Sequence, residues 1–164
     1  MTEAPAELID LLITHEEMMA AFYLLLSERF DEDADFWWRL SQEEKGHVLL
    51  LRSLEHDMEA GALLFDEQRL DRAAIRTSIE YTRSVMSFAA KQPLTPVNAA
   101  SMAIDLEESL IELGMYKLFQ ARTPEARQHL LAYEKTFTEH AAGIYQFRQQ
   151  KSGMSGHAAS GKIS

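Results

Sequence analysis

Four stretches of this chain repeat apolar residues at gaps of three and four, and each breaks the pattern near its middle with a glutamate or a histidine. The first, residues 6–30, places Ile9, Leu12, Met19, Tyr23, Leu26 and Phe30 on one helical stripe with Glu16 at its centre. The second, 35–59, carries Trp37, Leu40, Leu51, Leu54 and Met58, interrupted by Glu44 and His47. The third, from Pro96, carries Val97, Ala100, Ile104, Ile111 and Leu118, broken by Glu107 and Gly114. The fourth, from Pro124, carries Leu130, Tyr133, Phe137, Ile144 and Phe147, broken by His140. A helix that buries its stripe buries the interruption with it. The fold must therefore give these acids and imidazoles partners, because an unpaired buried charge costs several kcal/mol or more.

The period is helical throughout, and no stretch shows convincing strand alternation, so the expected class is all-α. Thr95-Pro96 and Thr123-Pro124-Glu125 each read as an N-cap followed by proline at the first helical position. The acidic turn Asp31–Asp35 reads as solvated and as the cap of the second helix. A weaker helix over 70–90 turns Ile75, Ile79, Met86 and Ala89 inward. Short connections at 31–35 and 121–123 force their neighbouring helices to run antiparallel, whereas 61–95 is long enough to cross over. Two helical hairpins joined by one long crossover is the ferritin-like four-helix bundle topology. Its long helices are expected at 6–30, 35–59, 96–121 and 124–150. Residues 1–150 form one domain on this reading. The small, polar segment 151–164, with Gly153, Gly156 and Gly161, is expected to be a disordered tail.

Composition removes several function classes. The 164 residues contain no cysteine, which excludes disulfides, zinc fingers, iron–sulfur clusters and a cysteine nucleophile. A formal charge of −10 argues against nucleic acid and anionic membranes as partners. No apolar run approaches the length of a membrane span, and Met1–Pro5 lacks the basic start of a signal peptide, so the expectation is a cytoplasmic protein with no membrane partner.

In an up–down bundle the five interruptions meet at one level. Three carboxylates at one level repel one another, and a bound cation removes that cost. Glu44 and His47 are three apart, so they share a helix face and can reach one ion or two adjacent ones. Carboxylates with imidazoles suit iron or manganese, and zinc as a contaminant. Each residue taken alone also has a plain structural reading. Glu16 is then a core acid bonded to Tyr23 or Tyr116, and His140 a buried histidine donating to a backbone carbonyl.

The chain resembles the rubrerythrin-like branch of the ferritin-like superfamily over roughly residues 6–150. Three segments carry the resemblance: Glu16 with Tyr23 seven later, Leu40-Ser41-Gln42-Glu43-Glu44-Lys45-Gly46-His47, and Ala103-Ile104-Asp105-Leu106-Glu107. It implies two iron ions in the bundle and the reduction of hydrogen peroxide or dioxygen. It also implies a metal-ligand set of Glu16, Glu44, His47, Glu107 and His140, with Tyr23 beside it. The last helix departs from the family pattern: the residue three before His140 is Phe137 where glutamate is expected. A rival register makes Glu134 the ligand in place of His140, although hydrophobic spacing favours His140. Gly114 stands where the symmetry partner of Tyr23 belongs. Rubrerythrins proper carry a cysteine-ligated iron as electron relay. Without cysteine, this chain needs a separate electron donor.

Two further readings remain open. Phe137 favours a metal-binding protein without turnover. Val48 to Leu51 and Trp38 widen the apolar face of the second helix, which suggests either a homodimer and an interaction role or contact with the crossover helix.

Overall fold

A computed structural model describes residues 3–66, 69 and 72–160. The chain is mostly helical. In order it forms α1 (Glu3–Arg29), a 3-10 turn at Asp31–Asp33, α2 (Ala34–Glu59), β1 (Leu63–Phe65), α3 (Arg72–Lys91), α4 (Pro96–Leu113), a 3-10 turn at Met115–Leu118, β2 (Phe119–Ala121) and α5 (Pro124–Ser160). The side chains of Ile111, Tyr116 and Phe137 fall outside the described residues.

The cross-helix contacts fix the directions. Asp10–Arg52 and Ser41–Ala20 tie α1 to α2 in antiparallel order. Asp33–Lys151, Glu44–His140 and Asp57–His129 do the same for α2 and α5, and Glu108–Tyr145 with Ser101–Arg148 for α4 and α5. The crossover helix α3 runs along α1, with Glu7 meeting Arg76 and His15 meeting Thr82. It also packs on α4. Trp38 and Leu49 of α2 stay 54% and 70% exposed, so the crossover does not cover them.

Local chemistry explains most of the boundaries. Thr95 Oγ1 accepts from the Asn98 amide (3.1 Å), and Thr123 Oγ1 from the Ala126 amide (3.2 Å), as side-chain N-caps do. Three boundaries depart from the sequence reading. Asp33 occupies the N-cap of α2 but makes no side-chain cap bond; its carboxylate instead pairs with Lys151 Nζ at 2.5 Å. α4 stops at Leu113, short of the expected 121, because Gly114 takes φ +57°, a left-handed conformation that ends a helix and that glycine adopts without strain. α5 runs on past Lys151 to Ser160, where composition suggested a disordered tail.

The expectation of no strands also needs correction. β1 and β2 form a two-stranded antiparallel ribbon with Leu63 opposite Ala121 and Phe65 opposite Phe119. Gly61, at φ +70°, turns the chain out of α2 and into β1. Each strand is three residues long, and the ribbon buries Leu63 and Phe119 against the end of the helical core.

The core is divided in two. One apolar cluster holds Leu8, Leu12, Leu51, Leu54, Ile75 and Tyr133; the other holds Met19, Leu26, Trp37, Leu40, Ile104 and Phe147. On α1, α2 and α5 the chain passes from one cluster to the other through the position where its stripe is interrupted.

Candidate metal centre

Between the two apolar clusters lies a polar layer made by Glu16, Glu44, His47, Glu107 and His140, each at most 7% exposed. Each comes from mid-helix, where the apolar period carries it inward with its neighbours. All five residues expected from the stripes are therefore brought together.

Glu44 is at the centre. Its Oε2 accepts from His47 Nδ1 at 2.7 Å, and its Oε1 accepts from His140 Nδ1 at 3.0 Å. His47 Nδ1 also lies 3.4 Å from Glu16 Oε2, and His140 Nδ1 lies 3.4 Å from Glu107 Oε1. The arrangement is two half-sites, Glu16 with His47 and Glu107 with His140, that share one carboxylate.

Two buried tyrosines brace the outer acids. Tyr23 donates to Glu107 Oε1 at 2.5 Å, and Tyr133 donates to Glu16 Oε1 at 3.4 Å. Among the described residues, the tyrosine that reaches Glu16 is thus Tyr133 and not Tyr23, which reaches Glu107 instead; the side chain of Tyr116 lies outside them. With Gly114 committed to ending α4, the counterpart of Tyr23 is supplied by α5. Sequence reasoning treated Tyr133 as core filler, and its place seven residues before His140 is the one signal that sets it at the layer's edge.

Among the described residues His140 donates to no backbone carbonyl; its ring is held by acids on both sides, with Nε2 3.0 Å from Glu43 Oε2. Glu43 and His15 are the other residues that the sequence did not single out. His15, fully buried beside Glu16, faces α3: its Nε2 lies 3.4 Å from Thr82 Oγ1, and its Nδ1 has no partner among the described residues. Glu134, the rival ligand, is half-buried. It is His140 that the fold sets against Glu44 and Glu107.

The electrostatics follow from burial and mutual repulsion. Burial and the charge of Glu44 raise the Glu16 carboxyl from 4.5 to about 7, against the hydrogen bond from His47. Burial works to lower His47, but hydrogen bonds and charge from Glu16 and Glu44 prevail and raise it to about 9. Burial likewise opposes His140, and Glu107 with Glu44 raise it to about 11. Tyr23 and Tyr133 are pushed well above 10, first by burial and then by the adjacent acids, so both keep their protons and act as donors. Protons and imidazolium charge thus do the neutralising when no cation is present.

The donor set also fits a divalent cation. Glu44, His47 and His140 each offer a ligand atom, all within 4.8 Å of one another and all buried, and Glu16 and Glu107 flank them. No helix among the described residues is long and apolar enough to cross a membrane. Comparisons with family models, curated proteins and solved structures found no match.

Proposed function

We propose that this chain is a ferritin-like four-helix bundle of the rubrerythrin type that holds two iron ions in its polar layer and reduces hydrogen peroxide or dioxygen. The single observation that supports it is the division of the Glu44 carboxylate between His47 and His140, with Glu16 and Glu107 outside them. A shared acid flanked by two acid–imidazole pairs is the donor set of a dinuclear carboxylate site less one glutamate. Manganese fits the same donors, and zinc would compete for them.

Glu16, Glu44 and His47 would hold one ion, and Glu44, Glu107 and His140 the other. Iron held there would supply redox and Lewis-acid chemistry toward an O–O bond. The protein's contribution is positional. Glu44 would be shared by both ions, and the two imidazoles would surrender protons as metal binds. Tyr23 and Tyr133 hold Glu107 and Glu16 in place and keep hydroxyl protons next to the reacting space. Reduction of one peroxide to two waters takes two electrons and two protons, and the electrons come from a separate donor because this chain has no cysteine-ligated relay.

The test is anaerobic loading with ferrous iron, metal analysis, and then peroxide consumption with a chemical reductant. Two bound irons and turnover are expected. A protein that takes up no iron overturns the reading. Metal binding without turnover is the second reading, and Phe137 favours it: the residue one helical turn before His140 offers no lone pair, which leaves the Glu107–His140 side one acid short. The exposed Trp38 and Leu49 on α2 favour a homodimer through that face, which sedimentation of the purified protein tests directly.

A further inference from the structure

We infer that Glu43 is a positioning residue for the second metal position: its carboxylate takes the outer N–H of His140 and so commits Nδ1 to the metal. The inference rests on the metal-binding reading above.

Three observations carry it. Glu43 Oε2 lies 3.0 Å from His140 Nε2 while His140 Nδ1 faces Glu44 and Glu107, so acids from two adjacent positions of α2 grip one ring from opposite sides. Glu43 is itself steadied, since its other oxygen lies 3.8 Å from Arg39 Nε one turn earlier. Glu43 is 45% exposed and His140 5%, so the carboxylate stands at the rim and the ring inside. An imidazole bound to metal through one nitrogen must carry its proton on the other. A carboxylate on that second nitrogen fixes the tautomer, locks the ring plane and makes the metal-facing nitrogen more basic. The contacts of His47 run through Nδ1, to Glu44 and Glu16. The His140 side, which lacks an acid at position 137, is the side braced from without. Glu43 strengthens the histidine where the missing acid cannot help.

The experiment is anaerobic calorimetric titration with ferrous iron of the full-length wild type, Glu43→Ala, Glu43→Gln and His140→Ala. The binding step that His140→Ala removes identifies the second position. Glu43→Ala should weaken that step about 10–100-fold, the usual effect of losing a carboxylate behind a metal-bound histidine, and leave the other step within about twofold. Glu43→Gln, which keeps an oxygen to accept the N–H, should fall between wild type and Glu43→Ala. The inference is overturned if Glu43→Ala leaves the His140-dependent step unchanged, if it weakens both steps equally, or if no step depends on His140. A wild type that binds no iron overturns the metal-binding reading itself. Far-ultraviolet circular dichroism of the metal-free variants separates a binding loss from a folding loss, and an exposed rim acid should leave the spectrum unchanged.

Discussion

The imidazole rings of His47 and His140 lie 4.7 Å apart, centroid to centroid, inclined at 40°, and both turn Nδ1 toward Glu44. Two basic groups this close in a buried layer are stable because three carboxylates surround them. The same acids make the layer sensitive to pH and to cations in opposite directions.

The pH dependence has a definite sign. His47, His140 and Glu16 all have folded-state values above their unfolded ones: about 9 and about 11 against 6.5, and about 7 against 4.5. Their contribution to stability is complete below the unfolded values and is lost as pH climbs through the folded ones. The metal-free protein should therefore lose stability steadily from about pH 4.5, the unfolded Glu16 value, to about pH 11, the folded His140 value, as far as this layer controls it. Metal binding requires the imidazole protons to leave, so affinity should rise over the same range. Thermal melts with and without manganese at pH 6 and pH 8.5 should show a Tm difference that widens at the higher pH. A difference that narrows would refute the sign.

Glu44 should be the one acid whose loss damages both positions. Glu44→Gln should weaken both ferrous binding steps by more than tenfold each, since even an acid behind a ligand is worth about 10–100-fold. Glu16→Gln should weaken mainly the step tied to His47, and Glu107→Gln the step tied to His140. Competition titration with a chelating dye reads all three. An effect of Glu44→Gln on one step alone would show that the carboxylate is not shared.

Position 137 should control the inequality of the two steps. Wild-type protein is expected to bind one metal tightly and a second weakly. Phe137→Glu puts an acid three residues before His140 on the same helix face, and should raise the second affinity and any peroxide turnover. It should also lower the Tm of the metal-free protein by adding a negative charge to the helix face that carries His140. Two equal tight steps in the wild type would mean that another residue supplies the missing acid.

Gly114 should resist substitution for a backbone reason. Among the described residues a Cβ there meets only Lys117 Cδ, at an ordinary 3.6 Å, so the expected cost is that of φ +57°. Gly114→Ala should destabilise the fold by about 1–2 kcal/mol, measured by urea unfolding. A neutral result would mean that the turn re-forms with another conformation.

The residues of the polar layer were legible because burial of a helix face is periodic in sequence. Glu16, Glu44, His47, Glu107 and His140 each fall on a position where the period demands an apolar side chain, and that conflict is visible without any knowledge of contacts. The starts of α4 and α5 were legible for a local reason too, since Thr95 and Thr123 cap the helices that directly follow them. What failed was non-local. Leu63–Phe65 and Phe119–Ala121 are too short to display alternation, and they become strands only because the fold brings them together. Tyr133 meets Glu16 across 117 residues of chain, and only the rotation of α5 decides it. Glu43 occupies a solvent-facing position of α2 and reads as an ordinary surface acid until His140 is seen beside it. Gly114 sits on the apolar stripe, so its gap was read as a missing side chain rather than as the end of a helix.

The α2–α5 pair is fastened at both ends. At one end the ribbon joins the chain leaving α2 to the chain entering α5, with His129 Nδ1 2.7 Å from Asp57 just inside it. At the other, Lys151 of α5 pairs with Asp33 at the start of α2. His47, Glu44 and His140 lie between the two fastenings. If the layer takes an ion through this seam, the opening would have to come at its middle, at the rim where Glu43 stands, because both ends are tied. For any ion that the layer holds, exchange along this route would then depend on local breathing between two pinned points, and how fast the site fills and empties would be separate from how tightly it holds.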